Sequence, residues 1–161
     1  MSEGSKVHEA LDRPASQQER EIVRWLLEHG DPKYLPLASQ IDALRVVSKC
    51  TCGCPTVHFA LEGDPSVQGT RLICDCGATV DDQEVGVLLF ACEGKLSMLE
   101  VYSYADNDKP FGLPKIESLY TYQKEEITRY VGGRLTTVTL LKRPNDKELP
   151  RASDADDSSK S

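Results

Sequence analysis

The residues best suited to chemistry in this chain are its cysteines, five of which lie in two short segments. Three alternate with other residues in Cys50-Thr-Cys52-Gly-Cys54, and two do so in Cys74-Asp-Cys76. Side chains two residues apart in a strand point to the same side, so each segment can present its thiols on one face. If the two faces meet on neighbouring strands, thiolates of Cys50, Cys52, Cys74 and Cys76 would bind one Zn²⁺. The sequence therefore predicts a metal site at these four residues.

The spacing of these cysteines leaves other interpretations open. Zinc sites commonly use C-x₂₋₄-C pairs, in which a turn brings both sulfurs to the metal, whereas this chain has C-x-C. A local bulge at Gly53 or Gly77 would be required to bring the sulfurs together. Without a bulge, the thiols act as small apolar side chains or form a strained, easily reduced disulfide. We expect Cys54 and Cys92 to be packing residues, and His58 to be an additional candidate ligand.

A second candidate site is a group of aromatic side chains, Tyr102, Tyr104 and Phe111, which lie around a strand end and a Pro/Gly-containing loop. Exposed aromatic residues beside a loop are typical of anchors for a protein partner. The same residue types also cover sheet edges, so both interpretations stand. Glu100 lies within the apolar strand that precedes this loop, and we expect it to face water.

No catalytic constellation is visible in the sequence. The chain has no G-x-S-x-G, H-E-x-x-H or P-loop motif, and its histidines are not paired with an obvious nucleophile. We therefore predict no catalytic residues, no cofactor other than zinc, and a protein that is not an enzyme. An enzyme of unknown class ranks third, after a protein-binding domain and a zinc-binding module.

The first element that must position these residues is a helix. Ser16 and Glu19 fit a capping box, and the next residues place Ile22, Val23, Leu26 and Leu27 on one apolar face. Gly30 followed by Asp31-Pro32 ends the pattern, which predicts a helix over residues 17–29. A shorter helix is predicted over residues 36–42.

From residue 44 onwards the apolar period changes from helical to two, which is typical of strands. Residues 44–104 read as an antiparallel meander, with a tight turn at Glu93-Gly94. A further hairpin is predicted over residues 126–142, turning at Gly132-Gly133. The predicted fold class is α+β, with the N-terminal helix packed on an antiparallel β-meander of four to six strands. Polar composition predicts disordered tails over residues 1–15 and 144–161, which leaves a single domain over residues 16–143.

Charge and hydropathy exclude several kinds of partner. The net charge is −7, the C-terminal tail is acidic, and no cluster of Lys and Arg follows any predicted element. Nucleic acid and membrane surfaces are therefore not expected as partners. No apolar run is long enough for a membrane span, and the N-terminus does not resemble a secretory signal. We expect a soluble cytoplasmic protein whose cysteines are thiols or metal ligands rather than disulfides.

Two segments carry a resemblance to known proteins. Cys52-Gly-Cys-Pro-Thr-Val57 and Gly94-Lys-Leu-Ser-Met-Leu-Glu-Val-Tyr-Ser103 resemble segments shared by a group of small uncharacterised bacterial proteins. The resemblance covers about residues 17–120, and Cys74 and Cys76 lie outside its pattern. The group has no established activity, and the resemblance implies the predicted fold and a non-catalytic role.

The function expected from the sequence is therefore that of a small non-catalytic protein-binding or regulatory domain, comparable to immunity or adaptor proteins. Its partner would be an unidentified protein that docks near Tyr102, Tyr104 and Phe111. The alternative is a zinc-binding module that uses the cysteines between Cys50 and Cys76.

Overall fold

The structure is a computed structural model, and it describes residues 8–64, 71–105 and 109–142. Helix α1 spans Gln17–His29, and two 3-10 segments span Pro32–Ala43 and Ile116–Ser118. The strands are β1 His8–Pro14, β2 Leu44–Cys50, β3 Val57–Leu61, β4 Arg71–Val80, β5 Gln83–Cys92, β6 Lys95–Ser103, β7 Gln123–Val131 and β8 Arg134–Lys142. The C-terminal tail predicted over residues 144–161 lies outside the described residues.

Helix α1 begins and ends where the sequence predicts. The Ser16 hydroxyl accepts a hydrogen bond from the backbone N–H of Glu19 at 3.1 Å, and the Glu19 carboxylate accepts one from the backbone N–H of Ser16 at 2.7 Å. This reciprocal pair satisfies two N–H groups that the first turn leaves without helical partners. The apolar face is fully buried and consists of Ile22, Val23, Leu26 and Leu27. The short helix expected at residues 36–42 lies within the 3-10 segment Pro32–Ala43.

Six strands form one antiparallel sheet, so the expected mixture of helix and antiparallel sheet is confirmed. Their spatial order is β1-β2-β3-β6-β5-β4, which is not the order of a simple meander. After β3 the chain crosses to the far side, and β6 then returns to pair with β3. As a result β2, which ends at the first cysteine segment, and β4, which carries the second, are separated by three strands. The apolar face of α1 joins the buried face of this sheet in one core.

The N-terminal segment departs from the sequence-based expectation. The composition of residues 1–15 predicts a disordered tail, but His8–Pro14 forms β1 and pairs with β2. Apolar patterning could not reveal this strand, because polar contacts hold it. Arg45 contacts Asp12 at 2.7 Å, and Arg13 contacts Glu19 of α1 at 2.8 Å.

The chain divides into two compact units, Met1–Thr121 and Tyr122–Ser161, whereas the sequence predicts one domain over residues 16–143. In the second unit, β7 and β8 pair only with each other among the described residues. Their turn at Gly132-Gly133 has φ values of 58° and 79°, which confirms the predicted glycine hairpin. Within the described residues no helix is long and apolar enough to cross a membrane.

Candidate metal centre

The first cysteine segment forms a tight loop between β2 and β3, which we call the cysteine loop (residues 50–56). Strand β2 ends at Cys50, whose backbone N–H donates a hydrogen bond to the carbonyl of Thr56 at 3.1 Å. Gly53, inside the loop, has φ = 98°, a left-handed conformation that glycine adopts without strain. The backbone distortion required at Gly53 is therefore present, and the three cysteines do not lie along an extended strand.

This loop brings three sulfur atoms together. The Sγ atoms of Cys50 and Cys52 are 2.9 Å apart, and those of Cys52 and Cys54 are 3.0 Å apart. All three Sγ atoms lie within 4.8 Å of one another. These separations are well beyond the ~2.05 Å of a disulfide bond, and all six cysteines are free thiols. Three close cysteines in this arrangement could hold a metal ion.

A segment distant in sequence supports the outside of the loop. The backbone N–H of Phe111 donates a hydrogen bond to the carbonyl of Gly53 at 3.2 Å. A Cβ placed on Gly53 would come within 3.1 Å of the Pro110 ring. Glycine at this position is therefore required both by its backbone angle and by the close approach of Pro110.

Thr56 anchors the end of the loop to β6. Its hydroxyl is buried, accepts a hydrogen bond from the Val101 backbone N–H at 3.0 Å, and lies 3.3 Å from the Val101 carbonyl. The Cys54 thiol donates to the same hydroxyl at 3.4 Å. Thr56 thus fixes the position of Cys54 relative to the sheet, a role that its residue type alone does not reveal.

The three thiols differ in their access to water. Cys50 is buried, Cys54 is half-buried and Cys52 is exposed. A ligand from solution can therefore reach the cluster at Cys52, while Cys50 provides a donor within the protein.

His58 lies on the same sheet as the end of β2. Burial lowers the pKa of its imidazole, the nearby His8 lowers that pKa further, and Glu100 opposes both effects.

Cys74 and Cys76 do not join this cluster, so the four-cysteine arrangement expected from the sequence is not formed. Both thiols lie on β4 and are buried in the core. Strands β2 and β4 are four sheet positions apart, roughly 19 Å at the usual strand spacing. Burial raises the pKa of Cys74 to about 11 and that of Cys76 to about 12, with nearby Asp75 adding to both shifts. The third member of the cluster is instead Cys54, for which the sequence predicts a packing role.

The aromatic candidates separate into two environments. Tyr102 and Tyr104 have edge-to-face rings with centroids 5.1 Å apart, and their hydroxyl oxygens are 2.8 Å apart. Tyr104 is 54% exposed, whereas burial, followed by the Tyr104 hydrogen bond, raises the pKa of the Tyr102 hydroxyl to about 12. Phe111 is half-buried and packs against the core. Its ring therefore contributes to the packing of the fold.

Cys92 lies in a different setting from the cysteine loop. It borders a cavity of about 380 Å³ between the Pro32–Ala43 segment and the β5–β6 turn. The cavity lining includes Lys33, Arg71 and Glu93, and it shares no residue with the cysteine loop. Its lining also includes neither His58 nor Glu100.

Comparison of the chain with protein-family models, with curated proteins and with solved structures finds no match. The site must therefore be interpreted from its own geometry. The sequence does contain the signal that identifies Cys54, because Gly53 and Pro55 on either side of it are turn residues.

Proposed function

We propose that the protein binds a soft metal ion, with Zn²⁺ the first candidate, through Cys50, Cys52 and Cys54. The observation that supports this proposal is the convergence of three free thiols within 4.8 Å on a single loop. Thiolates are the preferred ligands of zinc and other soft metal ions. Core packing does not account for the convergence, since Cys52 is exposed.

The sulfur separations are close to what a bound zinc requires. With Zn–S bonds of ~2.3 Å in a tetrahedral site, ligand sulfurs lie about 3.8 Å apart. The present separations of 2.9 and 3.0 Å therefore need to widen by about 0.8 Å for each neighbouring pair. Rotation of the thiol side chains, above all the exposed Cys52, provides this change without unfolding the loop.

Metal binding also accounts for how the loop is supported. Three thiolates around one cation must be held against their mutual repulsion, and the backbone that carries them is closed at both ends. The hydrogen bond between Cys50 and Thr56 closes the loop, and the contact of Phe111 with Gly53 holds its centre. Such a preorganised loop loses less conformational entropy when a metal binds than a flexible one would.

Measurement of bound metal tests the proposal. The protein would be purified under reducing conditions, dialysed against Zn²⁺ and freed of unbound ion before elemental analysis. We expect about one equivalent of zinc in the wild-type chain and less than a tenth in the triple variant Cys50→Ser/Cys52→Ser/Cys54→Ser. Two matched controls, Cys92→Ser and Cys74→Ala/Cys76→Ala, should retain the metal. Equal zinc content in the wild type and the triple variant would contradict the proposal, as would its absence from both.

A second proposal concerns Tyr102 and Tyr104, and it is the function expected from the sequence. Here the protein acts as a non-catalytic adaptor whose protein partner contacts the exposed ring of Tyr104. The proposal is supported by the exposed ring of Tyr104. Contacts with Tyr102 hold both the ring and the hydroxyl of Tyr104 in place. Replacement Tyr104→Ala should remove a stoichiometric partner that copurifies with the wild type and with Tyr130→Ala. Equal recovery of that partner with all three proteins would contradict this proposal.

A further inference from the structure

His8 lies beside the cysteine loop although it is far from it in sequence. It is the first residue of β1, and in the β1–β2 ladder it stands directly opposite Cys50. Directly opposed residues in an antiparallel pair have Cβ atoms about 4.5–5.5 Å apart, on the same face of the sheet. The His8 imidazole and the Cys50 thiol are therefore neighbours across the strands.

The position of the His8 ring is fixed further by His58. The two rings meet edge to face with centroids 4.6 Å apart. His8 is on β1 and His58 is on β3, and β2 lies between these strands. The His8 ring must therefore lie over β2, on the face that carries Ser48 and Cys50, and not beyond the edge of the sheet.

His58 is placed less favourably than His8, and the Thr56 hydroxyl already has partners. The Nδ1 atom of His58 lies 2.9 Å from the Ser48 hydroxyl, and His58 stands opposite Ser48, two residues from Cys50. The Thr56 hydroxyl is bonded to the Val101 backbone. Within the described parts of the chain, no carboxylate, imidazole nitrogen or further thiol lies within 4.8 Å of all three sulfurs, so any fourth protein ligand must move towards them.

We infer that His8 is the fourth ligand of the metal site, which would then be a Cys₃His centre. This inference rests on the proposed function, since it needs a metal on Cys50, Cys52 and Cys54. Cys₃His is one of the common ligand sets of structural zinc sites. His8 lies outside the 4.8 Å group of sulfurs and against His58, so this centre requires its imidazole to turn towards the ion.

A Cys₃His centre would also attach the edge strand to the sheet. Strand β1 is held by backbone pairing with β2 and by ion pairs such as Lys49 with Glu9, which are 3.5 Å apart and half-exposed. A metal bond from His8 would add a link between the beginning of β1 and the end of β2. Metal loading would therefore stabilise the pairing of β1 with β2.

Cobalt binding distinguishes this inference from the proposed function. Co²⁺ would be titrated into the wild type, His8→Gln and the matched control His29→Gln, whose ring is stacked on Trp25 at the end of α1. We expect thiolate-to-cobalt charge-transfer absorption in all three proteins. We also expect His8→Gln to bind at least about 100-fold more weakly, the upper end of what loss of a supporting group near a metal costs. The visible bands of His8→Gln should shift, because an oxygen of water replaces the imidazole nitrogen.

Two further measurements complete the test. Replacement His8→Cys supplies a thiolate in place of the imidazole and should recover tight binding, which loss of the β1 strand alone would not allow. Magnetic resonance of the cadmium-loaded wild type should show a coupling between the metal and a ring nitrogen of His8. Equal cobalt affinity and spectra for the wild type and His8→Gln would overturn the inference and leave the proposed function intact. Absence of charge-transfer absorption from the wild type would overturn both.

Discussion

The two cysteine segments begin with the same pattern, Cys-x-Cys-Gly, and reach opposite environments. In the first, Gly53 takes a positive φ, and the chain turns so that three sulfurs face one another near the surface. In the second, Gly77 remains within β4. A Cβ placed on Gly77 would be only 2.4 Å from the Cζ atom of the Tyr120 ring. The conformation at one glycine thus separates a candidate metal site from a pair of core residues.

The packing of the second segment gives a physical reason to expect that its thiols react slowly in the folded protein. Cys74 lies under the end of α1, where a Cβ on Gly30 would be 2.8 Å from its Sγ. Cys76 is 1% exposed. Burial of this kind raises the pKa of both thiols, which disfavours the thiolate that a metal would need. A pair of cysteines in a sequence therefore indicates a metal site only if the backbone between them can turn.

The largest expected effect is the stabilisation of the fold by zinc. At free zinc a thousandfold above Kd, the free energy of unfolding should rise by about 4 kcal/mol, because the ion binds the folded loop. Cys74→Ala/Cys76→Ala should show the same increase, measured by urea unfolding with and without zinc, and Cys52→Ser should show almost none. An equal increase in Cys52→Ser would remove the distinction between the two segments.

The second largest expected difference between the two cysteine segments is the reactivity of their thiols. In metal-free folded protein at pH 8, alkylation of Cys74 and Cys76 should be at least about 100-fold slower than that of an ordinary exposed thiol, because the thiolate reacts and their pKa values are raised. Cys52 should be alkylated first, as measured by peptide mass spectrometry over time. In urea, all six thiols should react at similar rates. Rapid labelling of Cys76 in folded protein would contradict its burial.

Stability should respond unequally to the same substitution in the two segments. Cys76→Ser places a hydroxyl in the core and should lower the free energy of unfolding by about 1–3 kcal/mol. Cys52→Ser replaces an exposed side chain and should change it by no more than about 0.5 kcal/mol. Both values come from urea unfolding of metal-free protein. Similar losses in the two variants would show that the cysteine loop contributes to the core.

The smallest expected effect is that of the ion pair between β1, which pairs with β2 beside the cysteine loop, and α1, which ends near Cys74. Arg13 of β1 contacts Glu19 of α1; burial raises the pKa of Glu19, but hydrogen bonds from Arg13 and Ser16 lower it by more, and the net shift is downward. The resulting stability is fully present above the unfolded pKa of about 4.3 and is lost as the pH falls through the lower folded value.

Replacement Arg13→Ala should therefore make the loss of stability on acidification shallower. It should also lower stability at pH 7 by about 1 kcal/mol, a value discounted for the partial exposure of Arg13. Thermal unfolding at several pH values measures both effects, and exposed Arg24→Ala of α1 is the control. If stability depends on pH in Arg13→Ala as it does in the wild type, the ion pair between Arg13 and Glu19 does not contribute to holding α1 against β1.

The sequence predicts the elements that are determined by local signals. The capping box at Ser16 and Glu19, the apolar face of α1 and the Glu93-Gly94 and Gly132-Gly133 turns depend on residues within a few positions of one another. The alternating pattern also predicts most strands of the sheet. These features depend on hydrogen bonds and steric preferences that a short segment already contains.

The parts that escaped prediction depend on contacts between distant segments. The pairing of β3 with β6 places β4 at the far edge, and no local pattern specifies that choice. Strand β1 has few apolar residues and is held by ion pairs with residues elsewhere in the chain. The position of His8 opposite Cys50 has the same cause, because it depends on the pairing of β1 with β2. Cys54 is a different case, since the turn residues on either side of it are local signals.

The support of the cysteine loop by Phe111 has a consequence for how the chain can be shortened. All six strands of the main sheet are complete at Ser103, so a fragment ending there would retain its entire hydrogen-bonded ladder. It would nevertheless lose the backbone contact to Gly53 and the Tyr120 ring over Gly77. A fragment ending at Thr121 keeps both. The shortest fragment that keeps the packing of the main sheet is therefore set by two loop contacts and not by the last strand of the sheet.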